Sequence, residues 1–343
     1  MVGREKYSQV MTRPRIAVTM GDPAGIGPEI CLSLLSSATG SEVEPIVFGD
    51  ARVLRHVAQK LSVPLRAPVL PLAEWQSKRH VIAGSAVVDL QCVGPDEFTP
   101  GEVSARCGDA AFRYVLATIE AGLRAEVDAI CTAPLNKEAM HAAGHQYAGH
   151  TEIFAERMSA QRSCMMLTSD ELTCSFVTVH VGYSDVPGLL SVARVRDVLE
   201  LTVDAMQRLR GRAPKLVVCG LNPHAGENGL FGQREEERFI IPAIEAVRAS
   251  GIQITGPLPP DTAFLAWRRR ETDAYICMYH DQGHIPLKAL AFDSGINITL
   301  GLPVVRTSVD HGTAFDIAWQ GKANANSLIE AVRLAAKLSR QQQ

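Results

Sequence analysis

A succession of short apolar, β-branched runs, each ended by a polar or glycine-bearing turn, constrains this chain most. They fall at residues 16–20, 45–50, 129–134, 174–179, 216–221 and 274–279. Runs this short and this apolar read as strands buried on both faces. Between them lie stretches of helical period, from Pro28 onward, over 51–61, over 108–124, over 192–209 and over 235–250. The alternation predicts an α/β fold with a largely parallel sheet. Residues 64–104 carry many prolines and read as irregular structure with short strands.

Three histidines stand just beyond such runs. His180 follows 174–179, His224 follows 216–221 within Asn222-Pro-His-Ala-Gly-Glu227, and His280 follows 274–279 within Tyr279-His-Asp-Gln-Gly-His284. Loops past strand ends are where α/β proteins keep their ligands. Three imidazoles so placed suit a divalent metal with coordination positions left for substrate.

At 343 residues the chain is long for one core, so two domains are expected. A net charge of −3, with basic residues only in short clusters (208–212 and 268–270), gives no support for nucleic-acid binding. The eight cysteines form no C-x-x-C pair and several sit inside apolar runs, as expected of free thiols in a reducing cytoplasm. Residues 1–15 lack the apolar core of a secretory signal, and the first twelve read as a loose extension. No apolar stretch is long enough to span a bilayer.

The glycines at 21, 25 and 27 do not fit G-x-G-x-x-G, so no Rossmann fingerprint is present. That loop either offers amides to an anion or is a plain turn. No Walker motif, G-x-S-x-G or H-E-x-x-H occurs. Further polar groups follow apolar segments: His150 and Thr151, Asp261 after a proline-rich loop, Asp281 and Lys288 near His280, then Asn297 and Arg306. An arginine there can fork onto a phosphate or carboxylate. Asp310 to Ala318 forms a last glycine-bearing turn before a helix.

These segments together resemble the 4-hydroxythreonine-4-phosphate dehydrogenase (PdxA) family. The resemblance rests on Met20-Gly-Asp-Pro-Ala-Gly-Ile-Gly-Pro-Glu29, Gly149-His-Thr-Glu152, Gly220-Leu-Asn-Pro-His-Ala-Gly-Glu227, Tyr279-His-Asp-Gln-Gly283, Asn297-Ile-Thr-Leu-Gly-Leu-Pro303 and Arg306-Thr-Ser-Val-Asp-His-Gly312. It is collinear from about residue 15 to 338. Thr132-Ala-Pro-Leu-Asn-Lys137, Glu227–Gly232, His280–Lys288 and Thr313–Trp319 resemble the branch of 4-phospho-D-threonate and 4-phospho-D-erythronate 3-dehydrogenases.

The resemblance implies a fold like that of isocitrate and isopropylmalate dehydrogenases, with two α/β domains and a cleft between them. The expected division is 13–130 plus 285–343 on the cofactor side, and 131–284 on the metal, substrate and dimer side. It implies His180, His224 and His280 as ligands of one divalent cation (zinc, manganese, cobalt or magnesium). It places His150, Thr151, Lys288, Asn297 and Arg306 on the substrate, and His311, Gly312 and Asp316 on NAD. Asp281, Lys288 and Asp261 are the candidates for proton handling. The partner of a homodimer is expected to complete each site, with no nucleic-acid or membrane partner.

The implied reaction is NAD-dependent oxidation of a C3 hydroxyl in a four-carbon phosphorylated acid, followed by loss of CO2 to give dihydroxyacetone phosphate. With an amine at C2 the same chemistry belongs to pyridoxal phosphate (vitamin B6) biosynthesis. A charged His284 near C2 would repel that amine and favour the hydroxy acids. Two other readings are a dehydrogenase of an unphosphorylated diol and a metal hydrolase or lyase without nicotinamide.

Overall fold

The computed structural model describes residues 13–291 and 295–340, so the extension at 1–12 and the Gln341–Gln343 tail lie outside the described residues. In chain order the strands are β1 (Arg15–Thr19), β2 (Glu44–Gly49), β3 (Val69–Pro71), β4 (Ala86–Asp89), β5 (Ala129–Thr132) and β6 (Cys164–Thr168). They continue as β7 (Thr173–Phe176), β8 (Lys215–Cys219), β9 (Gln253–Leu258), β10 (Ala274–Cys277), β11 (Ile296–Leu300) and β12 (Val305–Val309). All belong to one sheet of order β3-β4-β2-β1-β5-β12-β11-β6-β7-β10-β8-β9. Pairing is parallel toward both edges and antiparallel at the middle, across β12–β11, β11–β6 and β6–β7. The α/β expectation is met.

Alternation along each strand explains the unbroken apolar runs. Ile16 and Val18 face one core while Ala17 faces another. Ala274 and Ile276 likewise separate from Tyr275 and Cys277. Helices cover both faces, so neither side of a strand sees water. The helix Val192–Arg210 is capped by Ser191, which accepts from Arg194 N at 3.1 Å, and it ends at Gly211 with φ 68°. The helix expected over 235–250 is instead a π-helical turn, Glu236–Ile240, followed by Ile241–Arg248. Pro242 has no N–H to donate, and the ladder widens just before it.

The glycine loop 21–27 is a packing turn. Asp22 N donates to Pro134 O at 2.9 Å, Ala24 N to Asp22 Oδ1 at 2.9 Å, and Ile26 N to Thr313 O at 3.0 Å. Those amides have protein acceptors, which leaves the anion-binding alternative without its donors. Gly25 leaves room for the 313–315 loop, since a Cβ there would sit 2.8 Å from Thr313 O. Trp319 Nε1 donates to Pro23 O at 3.1 Å, and the Glu29 carboxylate accepts from Gln320 N at 3.1 Å and Gly321 N at 3.0 Å.

Asp22 is fully buried, and burial raises its carboxyl from 3.8 to about 6 against the opposing Ala24 amide. A carboxyl with a raised folded-state pKa contributes stability that is complete below 3.8 and lost as pH climbs through about 6. Stability is expected to fall by on the order of 2–3 kcal/mol over that window. Asp22→Asn should flatten the fall. Urea unfolding on either side of the window measures it, and an unchanged slope in the variant would refute the assignment.

Candidate active site

A cleft of about 320 Å³ opens where the sheet changes from parallel to antiparallel pairing, beside the C-terminal ends of β5 and β12. Crevices at such reversals are the usual ligand sites of open α/β sheets. Its lining brings together His150, Thr151, His180, His280, Lys288, Asn297, Arg306, His311 and Gly312. His224, Asp261, Asp281 and Asp316 do not line it.

Arg306 on β12 is 1% exposed. Its Nη1 donates to Thr299 Oγ1 at 3.0 Å and its Nη2 to Thr132 Oγ1 at 2.6 Å, while Nε has no hydrogen-bond partner. Its guanidinium lies 5.4 Å from the centre of the Phe154 ring. Among the described residues no carboxylate pairs with it. Burial pulls this guanidinium down to about 10, still charged at neutral pH. A buried cation held only by neutral hydroxyls calls for an anion.

Neighbouring groups point the same way. His150 and Thr151 begin the helix His150–Arg157. Burial, then Arg306, then Lys137 hold the His150 imidazole neutral, and its buried Nε2 has no partner. Thr151 Oγ1 is 3.4 Å from Thr299 Oγ1. Asn297 Oδ1 is buried without a partner. Lys288 Nζ lies 3.3 Å from Asp310 Oδ2. The unpaired His150 Nε2, Asn297 Oδ1 and Arg306 Nε are what a polar ligand would meet.

Two of the cleft imidazoles, His280 and His180, are backed by a carboxylate. His280 Nδ1 is 2.6 Å from Asp281 Oδ1, and Tyr183 Oη donates to Asp281 Oδ2 at 2.5 Å. The bonds from Tyr183 and then His280 hold the Asp281 carboxyl below its ordinary range. His180 Nδ1 is 3.6 Å from Glu152 Oε1. With each Nδ1 turned to a carboxylate, Nε2 is the nitrogen left for a ligand, the arrangement metal-binding histidines adopt. The two rings are 5.8 Å apart by centroid. Nitrogen donors of this kind fit a borderline divalent cation.

The third proposed ligand lies elsewhere. His224 is exposed on the segment Pro223–Gly229, where residues 224 to 228 all have positive φ. Left-handed backbone at non-glycine residues is uphill and needs a fastener. Glu236 supplies one, accepting from Leu221 N at 2.9 Å and Asn222 N at 2.8 Å. Asp261 is exposed on the adjacent short helix Pro260–Ala263. Among the described residues, no three His, Cys, Asp or Glu side chains gather to hold a metal.

His284 departs from expectation. Its ring stacks on His280 at 3.6 Å and packs 4.6 Å from Phe176, and burial pushes it down to about 4. Burial thus favours its neutral form, which carries no charge to repel a substrate ammonium. Its Nδ1 lies 2.9 Å from the His280 carbonyl and must donate to it, since that oxygen only accepts.

His311 and Gly312 line the cleft, with His311 Nε2 buried and unpaired. Asp316 is exposed on the 3₁₀ turn Phe315–Ile317. Sequence reasoning passed over Glu152, Lys137, Asp310 and Tyr183. Glu152 adjoins Thr151 in a segment already singled out, and Asp310 adjoins His311. Tyr183 gave no signal, because its bond to Asp281 spans 98 positions.

The family model for the pyridoxal phosphate biosynthetic protein PdxA matches residues 41–335. The chain is 45% identical over 329 residues to the D-threonate 4-phosphate dehydrogenase of Cupriavidus necator, covering 95% of this chain and 97% of that one. It is 44% identical over 326 residues to the 4-hydroxythreonine-4-phosphate dehydrogenase of Desulfosudis oleivorans, covering 94% and 95%. The crystal structure of a 4-hydroxythreonine-4-phosphate dehydrogenase from Klebsiella pneumoniae aligns with a TM-score of 0.81 at 42% identity, covering 95% of this chain and 99% of that one.

Proposed function

The chain belongs to the PdxA family of dehydrogenases that act on phosphorylated hydroxy acids, and from that premise we propose that it oxidises the C3 hydroxyl of 4-phospho-D-threonate or 4-phospho-D-erythronate. The single observation that carries this is Arg306, a buried guanidinium with no carboxylate, in a cleft that also holds two carboxylate-backed imidazoles. A hydrolase or lyase reading gives way to family membership.

In this reading Arg306, Lys288, Asn297, His150 and Thr151 hold the substrate's anionic and hydroxyl groups. Lys288, set against Asp310 inside the cleft, handles the hydroxyl proton. Asp281 has both oxygens engaged, so its role is to orient His280. His180 and His280 would hold a divalent cation, which would supply Lewis acidity for loss of the proton and for the charge that develops as CO2 departs. His311, Gly312 and Asp316 would hold NAD, which would supply the hydride acceptor. The products are NADH, CO2 and dihydroxyacetone phosphate.

The two domains expected at 13–130 plus 285–343 and at 131–284 remain part of this reading. So does a homodimer. His224 and Asp261 lie on adjacent segments outside the cleft. We infer that a second copy carries its own His224 and Asp261 into this cleft, and the reverse, as twofold symmetry requires. A cytoplasmic location suits the eight cysteines, all of them free. No helix among the described residues is long and apolar enough to cross a membrane.

The hydroxy acids are favoured over the C2 amine by likeness to the C. necator enzyme and by charge. Lys137, Lys288 and Arg306 face the cleft against Glu152 and Asp310, so an added ammonium meets an excess of positive charge. The test is kcat/KM for 4-phospho-D-threonate, 4-phospho-D-erythronate, 4-phosphohydroxy-L-threonine and unphosphorylated D-threonate, with NADH and CO2 measured together. The phosphorylated hydroxy acids are expected to lead, with CO2 matching NADH. Preference for the amino substrate would assign the protein to vitamin B6 synthesis, and a stable keto acid would remove the decarboxylation.

A further inference from the structure

One cation of the cleft, Lys137, is given no contact with the substrate in the scheme above. Lys137 opens the helix Lys137–Ala142, and the Asn136 side chain caps that helix by accepting from Ala139 N at 2.8 Å. The cap fixes where the lysine stem leaves the backbone. The stem passes over Gly149, where a Cβ would lie 3.8 Å from Lys137 Cε and 3.4 Å from Glu152 Oε2. Among the described residues Lys137 forms no ion pair and no side-chain hydrogen bond. Most exposed lysines are solvated and need no partner, but this one lines the cleft beside His150.

The charge inventory sets Lys137 apart. Lys288 has Asp310 at 3.3 Å, and Glu152 has His180 at 3.6 Å. Arg306 and Lys137 are the two cleft cations without a carboxylate partner. The proposed substrates carry two anionic ends, a phosphate and a carboxylate. An ammonium on a flexible stem is a point charge that can follow either.

We propose that Lys137 is a further substrate-binding residue, its ammonium receiving an anionic oxygen of the substrate on the Gly149 side of the cleft. The proposal rests on the functional reading above, and its test separates the two. Lys137→Met keeps stem length and removes charge, and Lys137→Arg keeps charge. With 4-phospho-D-threonate, Lys137→Met should raise KM roughly 10- to 100-fold, with a smaller change in kcat, and Lys137→Arg should recover most of the loss.

Two arms assign the end that is bound. If Lys137 meets the phosphate, inhibition by inorganic phosphate weakens in parallel and KM for unphosphorylated D-threonate stays put. If it meets the carboxylate, phosphate inhibition is unchanged and KM rises for both acids. An unchanged KM in Lys137→Met, or a loss that Lys137→Arg does not recover, overturns the proposal. If the parent protein oxidises no phosphorylated acid, the functional reading fails. Calorimetric titration with inorganic phosphate and with unphosphorylated D-threonate then decides Lys137 alone, and equal affinities of parent and Lys137→Met for both ligands reject it.

Discussion

Replacing His280 or His180 by alanine is expected to lower turnover by on the order of 10³-fold or more, because the proposed metal site would lose a cation worth several kcal/mol of transition-state stabilisation. Chelation reproduces the loss in the parent protein, and added divalent metal reverses it. Replacing His224 has the same effect, although His224 lies outside its own cleft. Coexpression of His224→Ala with His280→Ala distinguishes a shared site from a local one. In a mixed dimer one cleft keeps His180 and His280 and receives an intact His224 from the other subunit. The second cleft loses both His280 and the incoming imidazole. Random assembly then restores about a quarter of the parent activity, from two chains each inactive alone. No recovery in isolated mixed dimers would eliminate the shared site, and full activity of a metal-stripped preparation would eliminate the metal.

Arg306→Met separates stability from function. The guanidinium is buried against Thr132 and Thr299, and no carboxylate repays its desolvation. Replacement of a buried charge by an apolar chain of similar length is often neutral or stabilising, by about 1–4 kcal/mol. The thermal midpoint is therefore expected to hold or rise. Catalysis should move the other way, with kcat/KM for a phosphorylated acid falling by roughly 10²- to 10⁴-fold as the substrate anion loses a buried partner. Inorganic phosphate should raise the midpoint of the parent protein and leave that of the variant unmoved. A variant that unfolds early yet retains activity would make Arg306 a structural residue.

Much of this was legible in the sequence, for identifiable reasons. Runs such as 129–134 and 274–279 mark strands covered on both faces, so apolar composition alone located them. His280 and Lys288 lie on the helix that follows the 274–279 strand, Asn297 and Arg306 lie on β11 and β12, and all four reach one crevice. What failed to read was whatever depends on long-range packing. His284 has its titration lowered by burial between His280 and Phe176, which no local pattern announces. The π-helical turn depends on Pro242, but a helical period over 235–250 conceals it. His224 has the same strand-end context as His180 and His280, and only the left-handed turn held by Glu236 reveals that it points elsewhere.

The ties between the glycine loop and the 313–321 stretch have a consequence for biosynthesis. Pro23 waits for Trp319, 296 positions later, and Glu29 for Gln320 and Gly321. At common translation speeds that interval lasts roughly 15–60 s. β5 likewise lacks its β12 neighbour until 305–309 emerge. The segment around the glycine loop therefore leaves the ribosome with one flank bare until the 305–321 segment arrives to close it.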